Sequence, residues 1–374
     1  MRSTLARAIA PLLLLASLAE PARAQAGAPP ATPTDWAAVD AFVRDEMVKQ
    51  HVPGLALAVV RNGVLVRALG YGSANLEHNV PVTSATVFQS GSVGKQFTAT
   101  LVMQLVSEGK LSLDDRLIKF FPNGPAVWRE ITIRQMLSHT SGIAETLYGK
   151  VDLQREYADS TVVRIIGEQP LDFAPGSKWR YSNPGYIMLG FVIEKVTGRF
   201  YGDLLGERIF VPLGMSTALI INEPAIVPNR AAGYEIIAGA IVNQTWVSRK
   251  FNTTADGSLY LTVRDLAKWD AALYGERVLT QASLAQMWTP IRLNDGTTHP
   301  YGFGWSLGNV NGHRIVEHGG AWQGFKTYIA RYVADGLTVI VMMNLGQANP
   351  EVFAHGVAGV LDPALKAAPA PARP

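Results

Sequence analysis

The chain has 374 residues, 48% hydrophobic and 17% charged, a balance that excludes an intrinsically disordered protein and allows a sizeable buried core. A formal charge of only +3 gives no electrostatic footprint for nucleic acid. The absence of cysteine excludes disulfides, a lipid-modified cysteine, a cysteine nucleophile and a thiolate zinc site.

In chain order the first expected element is a leader. Arg2 and Arg7 precede a short apolar run, and Ala22-Arg23-Ala24 follows it in a small-x-small arrangement. This spacing predicts a secretory signal peptide over residues 1–24 and a mature start near Gln25. The run is well short of the ~20 residues that span a bilayer, so no stable membrane span is expected after cleavage. The expected location is outside the cytoplasm, in a bacterial periplasm. Without the leader's three arginines and one glutamate the net charge falls to +1.

Residues 54–76 carry two β-rich runs around Asn62-Gly63, the dipeptide of a two-residue hairpin turn. From 93 to about 290 the pattern turns helical: QFTATLVMQLVSEGK and YIMLGFVIEKVTG repeat apolar residues at three- and four-residue steps, with Gly109 and Gly198 marking their ends. Residues 232–262 read as irregular with strands. Strand character returns over 301–344, with turn signals that include Asn311-Gly312 and Asp335-Gly336. The expected fold class is α+β: one antiparallel sheet built from both chain ends and flanked by helices, with a mostly helical subdomain over roughly 100–290. Residues 25–362 are expected to form a single domain, and the Ala/Pro-rich stretch 363–374 a disordered tail.

A serine hydroxyl needs a neighbouring base to act as a nucleophile. Ser92-Val93-Gly94-Lys95 supplies one if a helix begins at or just before Ser92, because residues three apart share a face. That helix start also points backbone N–H groups towards developing negative charge. Ser107-Glu108-Gly109-Lys110 repeats the spacing, but Gly109 ends the helix and puts Lys110 beyond the last turn. Tyr181-Ser182-Asn183 follows a turn-rich stretch. Proximity to a lysine favours a phenolate at Tyr181, a proton acceptor, and Asn183 can both donate to and accept from an amide. His318-Gly319-Gly320-Ala321 ends a β-like run, where small residues leave a backbone N–H exposed to a substrate.

Two further signals point elsewhere. Gly304-Trp305-Ser306-Leu307-Gly308 matches a nucleophile elbow, which requires a helix directly after the serine, whereas a hairpin turn follows here. His139, in LSHTSGI, reads as a helix end entering a turn and is expected to serve structural hydrogen bonding. The seven histidines show no metal-ligand spacing, so neither a metal nor another cofactor is expected.

Together, Ser-x-x-Lys, Tyr-x-Asn and a basic-x-Gly strand resemble the three active-site motifs of the serine β-lactamase and penicillin-binding-protein superfamily. FQSGSVGKQFTA, IRQMLSHTSGI, PGSKWRYSNPGYIMLG, DGSLYLTVRDLAKW and YGFGW are similar to the branch that holds class C β-lactamases, D-aminopeptidases and related esterases. The similarity spans about residues 36–345. It implies that Ser92 is acylated, that Lys95 and Tyr181 share the proton transfers, and that Asn183 holds the substrate amide. It further implies that His318 replaces the usual lysine of the third motif, and that the N–H groups of Ser92 and Ala321 form an oxyanion hole. His-Gly-Gly in place of Lys-Thr-Gly is a departure, since a histidine near its reference pKa of ~6.5 is mostly neutral at pH 7. An esterase or D-amino-acid peptidase acting on a small ester, amide or peptide fits that departure better than a β-lactamase or D-Ala-D-Ala carboxypeptidase. A sensor that acylates and never turns over uses the same motifs.

Overall fold

The computed structural model describes residues 35–366, so the predicted leader and residues 367–374 lie outside the described residues. The chain opens with α1 (Trp36–Lys49), where Val39, Val43 and Met47 recur at four-residue steps and are buried. β1 (Gly54–Arg61) and β2 (Val64–Asn75) form the expected hairpin. Asn62 and Gly63 both adopt the left-handed backbone its turn requires, at φ 49° and 75°. A short β3 (Val80–Pro81) follows. The middle of the chain supplies α2 (Lys95–Ser107), α3 (Asn183–Thr197) and α4 (Val263–Ala272). Four strands then return: β4 (Ser306–Val310), β5 (His313–Trp322), β6 (Phe325–Tyr332) and β7 (Leu337–Met343), before α5 (Pro350–Leu361).

These seven strands make one antiparallel sheet in the order β4-β5-β6-β7-β1-β2-β3, so the two ends of the chain meet where β7 pairs with β1. β1 lacks polar alternation because both of its faces are covered. Leu55, Leu57 and Val59 pack in one cluster with Val39 and Val43 of α1 and Phe353 and Val357 of α5. Ala56, Ala58 and Val60 face the opposite cluster, which includes Phe97 of α2 and Leu266 of α4. α2 is buried over most of its length, including the polar residues Lys95, Gln96, Thr98 and Thr100. α4 begins with a capping box in which Thr262 and Asp265 satisfy each other's backbone N–H groups.

Residues 232–262 hold strands as read: a hairpin, Tyr234–Ile237 with Ala240–Asn243, and Leu259–Leu261, which is the middle strand of a small sheet. The structure departs from the sequence reading in two places. The outer strands of that small sheet, Phe88–Gln89 and Leu219–Ile220, were not expected. The expected tail is ordered at its start: Asp362 caps a 3-10 turn at Pro363–Leu365, and Leu365 is buried in the cluster under α1 and α5. Leu365 is an apolar residue with a hydrophobic layer in reach, and its burial outweighs the Ala/Pro composition around it. Among the described residues no helix is long and apolar enough to cross a membrane.

One charged contact joins the sheet to the middle layer. Arg331 on β6 pairs with Asp270 on α4, both almost fully buried, while Thr338 donates to the same carboxylate and the rings of Trp288 and Tyr274 flank the guanidinium. Removing one partner strands the other charge out of water. Asp270→Ala is therefore expected to lower the unfolding free energy by about 3–5 kcal/mol, read as a lower urea midpoint at unchanged slope. A midpoint equal to the parent's would show that the pair carries no such load.

Candidate active site

Ser92 lies in a 3-10 turn, Gly91–Gly94, that runs directly into α2. Three glycines let other backbone segments reach this turn. A Cβ on Gly91 (φ 48°) would stand 2.3 Å from the Ala321 nitrogen, one on Gly320 would stand 2.0 Å from the Ser90 oxygen, and one on Gly257 (φ 149°) would stand 2.3 Å from the Gly91 oxygen. The turn, strand β5 and the 256–258 loop thus touch main chain to main chain, and the backbone nitrogens of Ser92 and Ala321 come close together.

Lys95 begins α2 and is completely buried. Its Nζ donates to Ser92 Oγ at 3.1 Å, to Asn183 Oδ1 at 2.7 Å and to the Asp256 carbonyl at 2.5 Å, so all three ammonium hydrogens are used. Burial pushes its pKa down to about 8, against the opposing pull of the Asp256 and Glu145 carboxylates. The ammonium also sits 4.9 Å above the Tyr181 ring and 5.4 Å above that of Tyr186.

Burial holds the Tyr181 phenol far above its ordinary pKa, against the opposing effect of the neighbouring Ser92 hydroxyl. Its buried hydroxyl makes no formed hydrogen bond among the described residues. The resting side chain is a phenol, not the phenolate that lysine proximity alone suggests. Asn183 opens α3, with Ser182 as its N-cap. Its amide is turned inward: Oδ1 accepts from Lys95, Nδ2 donates to Glu145 Oε1 at 2.7 Å, and the backbone N–H donates to Glu145 Oε2 at 2.5 Å. Glu145 is itself raised in pKa by burial. Asp256 accepts from the Tyr148 hydroxyl at 2.6 Å. Glu145, Tyr148 and Asp256 escaped the sequence reading. The only signal for them was their position within or beside the quoted phrases LSHTSGI and DGSLYL.

His318 is buried on β5, opposite Ile329 of β6. Its Nδ1 lies 2.6 Å from the Gly319 carbonyl and its Nε2 lies 2.8 Å from the Tyr301 hydroxyl, so neither ring nitrogen is free for a substrate. Burial, then the Lys95 charge, push its pKa down to about 4. His139 accepts a hydrogen bond from the Ser182 N–H and meets Tyr301 at 3.1 Å, the structural bonding read from its context. The two other signals lie elsewhere. Ser107 ends α2 and caps back onto Gln104 while Lys110 pairs with Glu108 at the surface, and Ser306 starts β4, which a hairpin rather than a helix follows.

A cleft lined by Ser92, Tyr148, Asn183, Asp256, Ala321 and Trp322 opens over this cluster. A larger groove of about 1050 Å³, walled by Phe121, Trp128 and Phe191, contains none of these residues, and its Arg164 and Glu168 pair with each other. A serine hydroxyl with a buried amine at hydrogen-bond distance, beside two neighbouring backbone nitrogens, has the parts that acyl transfer needs. The chain belongs to the Beta-lactamase family, whose model matches residues 39–360. It is 30% identical over 313 residues to penicillin-binding protein 4* of Bacillus subtilis (strain 168), covering 79% of this chain and 69% of that protein. It is 29% identical over 318 residues to the D-aminopeptidase of Gluconobacter oxydans (strain 621H), covering 83% of this chain but only 59% of that protein. Among solved structures, the octameric penicillin-binding protein homologue from Pyrococcus abyssi superposes with a TM-score of 0.77 at 28% identity, over 87% of this chain and 77% of that one.

The glycine contacts are testable. Gly320→Ala forces a Cβ against main chain and is expected to destabilise the protein by about 1–3 kcal/mol, seen as a lower thermal midpoint. Gly149→Ala, where a Cβ meets nothing within 4 Å, serves as the control and is expected to leave the midpoint in place.

Proposed function

We propose that the protein is a serine hydrolase that cleaves a small ester or amide, including amides and short peptides of D-amino acids, through an acyl-enzyme on Ser92. The observation that carries this reading is the 3.1 Å contact between Lys95 Nζ and Ser92 Oγ, made by a lysine whose pKa burial lowers to about 8. When Lys95 is neutral its lone pair takes the Ser92 proton as Oγ bonds to the substrate carbonyl carbon. The carbonyl oxygen becomes the oxyanion, held by the N–H groups of Ser92 and Ala321. On collapse the C–N or C–O bond breaks, and the leaving group takes a proton from the Tyr181 phenol, which Lys95 re-protonates. Water then attacks the acyl ester by the same route and releases the acid.

The D-amino-acid preference is supported by the named activity of the D-aminopeptidase relative and by a neutral His318 where a lysine would anchor a carboxylate. Export to a periplasm belongs to the same reading and rests on the residue pattern of the leader. It is checked by the mass of the secreted protein, expected to begin at Gln25; a retained leader would refute it.

Two measurements test the chemistry. A serine-reactive phosphonate is expected to label the parent stoichiometrically and Ser92→Ala not at all. Persistent labelling moves the nucleophile elsewhere, and labelling with no turnover on p-nitrophenyl esters or D-amino-acid amides makes the protein an acylated sensor. With a neutral ester, kcat/KM is expected to rise as pH increases through about 8, because the base is the deprotonated amine. Lys95→Arg, whose guanidinium stays charged, is expected to lose that limb and about 10²–10⁴-fold in rate. A flat profile across this range would remove Lys95 from the role of base.

A further inference from the structure

Tyr301 and His139, outside the three motifs, lie in a hydrogen-bond chain whose direction is fixed at both ends. At one end the Ser182 backbone N–H, which can only donate, meets His139 Nδ1 at 3.1 Å. His139 Nδ1 therefore accepts, and the proton of its neutral ring sits on Nε2, which donates to the Tyr301 oxygen at 3.1 Å. At the other end the Gly319 carbonyl, which can only accept, meets His318 Nδ1 at 2.6 Å. His318 Nδ1 carries the proton, and because burial keeps the ring neutral its Nε2 accepts from the Tyr301 hydroxyl at 2.8 Å. The two derivations meet at one hydroxyl that accepts once and donates once, and no bond in the chain is left without a proton.

His139 also governs the second motif. Its backbone is left-handed (φ 61°), its carbonyl accepts from the Arg180 N–H at 3.0 Å, and its ring lies 4.2 Å from that of Tyr181. The residues on either side of Tyr181 are thus tied to one histidine, which is buried and reaches the third motif through Tyr301.

We propose that His139 and Tyr301 are positioning residues of the hydrolase, holding His318 as the neutral Nδ1–H tautomer and locking the Tyr181 segment and β5 to each other. With His318 neutral and Lys95 saturated by its own acceptors, a substrate carboxylate finds the Glu145 and Asp256 carboxylates but, among the described residues of this cluster, no free cation. The favoured substrate class is therefore neutral or cationic next to the scissile bond. This inference rests on the serine-hydrolase reading for its kinetic consequence but not for its structural one.

The test is ¹⁵N-histidine NMR on the resting full chain at pH 7, the His318 signals being assigned by their loss in His318→Gln. The parent is expected to show His318 protonated on Nδ1 with Nε2 hydrogen-bonded, and Tyr301→Phe, in which the Gly319 carbonyl still takes the Nδ1 proton, to shift the Nε2 signal as it loses its donor. In turnover of a neutral ester, Tyr301→Phe and His139→Ala are expected to lower kcat by about 10–100-fold, the size expected when buried hydrogen-bonding groups lose their partner. His139→Gln, whose oxygen can accept from Ser182 while its NH₂ donates to Tyr301, is expected to restore most of that loss. Mono-p-nitrophenyl succinate, which bears a carboxylate, is expected to be at least tenfold poorer than p-nitrophenyl butyrate in the parent. An Nε2–H tautomer or an imidazolium at His318 in the parent overturns the proposal, as does Tyr301→Phe with parental His318 Nε2 signal and kcat, or a succinate ester turned over as well as the butyrate. Failure of the hydrolase reading appears separately, as absence of Ser92 labelling with the tautomer unchanged.

Discussion

The constraint on which the rest depends is a single ammonium removed from water. Lys95 is fully buried, and a cation in that position costs several kcal/mol unless its hydrogens are all satisfied. The acceptors come from three separate parts of the chain: the turn before α2, the first residue of α3, and the loop at 256. Neither α3 nor that loop can move away without stranding the charge. The hydrophobic layers on both sides of the sheet provide most of the burial that holds the fold. The ammonium adds direction, because it has a solution only when Asn183 and the Asp256 carbonyl are both in place. It also explains why Glu145 is present: a carboxylate bonded twice to Asn183 orients the amide oxygen at Lys95.

The second requirement is that backbones approach without side chains between them. Gly91, Gly257 and Gly320 sit where any Cβ would fall within 2.3 Å of main chain, and they belong to three different elements around Ser92. In the proposed reaction this is what an oxyanion hole needs, since donors fixed by strand and turn geometry require no reorganisation when charge develops. The sheet supplies the rigidity. β5 is paired with β4 over His313–Glu317 and with β6 from Ile315 to Trp322, so Ala321, opposite Lys326, is held by a ladder rather than by a loop.

What the sequence made legible is what depends on neighbours in sequence. Ser92 and Lys95 are three residues apart at a helix start, and their contact follows from helical geometry alone. The Asn62-Gly63 and Asn311-Gly312 turns follow from residues that tolerate positive φ, and both pairs adopt it. The turn between β5 and β6 carries a weaker signal, since Gln323 is not a usual left-handed residue yet adopts φ 40° before Gly324. Glu145 and Tyr148 meet their partners 38 and 108 residues away, and Tyr301 meets His139 across 162 residues. No local pattern encodes such contacts. They exist because the fold delivers α3, the 256 loop and β5 to one place. Asn183 shows the same limit in reverse: its identity was legible, but its commitment to Lys95 and Glu145 rather than to open cleft depended on partners that were not.

The two titrations in the cluster oppose each other in a way that orders the proposed chemistry. Burial disfavours charge on every group, so it lowers Lys95 towards neutrality and raises Tyr181 away from phenolate. Both shifts have the same cause and the opposite chemical meaning, since one side chain becomes a better base and the other stays a proton donor. The proposed assignment of base to lysine and acid to tyrosine rests on these two directions together with the 3.1 Å contact between Lys95 and Ser92. His318 obeys the same rule. Burial beside the Lys95 charge keeps it uncharged, and its two hydrogen bonds hold it in one orientation. A lysine on β5 would place a second cation near Lys95, favour the neutral amine and move the working pH of the base downward. With a neutral histidine there, the pKa of Lys95 is set by burial and by the Asp256 and Glu145 carboxylates, and the base keeps a pKa within reach of physiological pH.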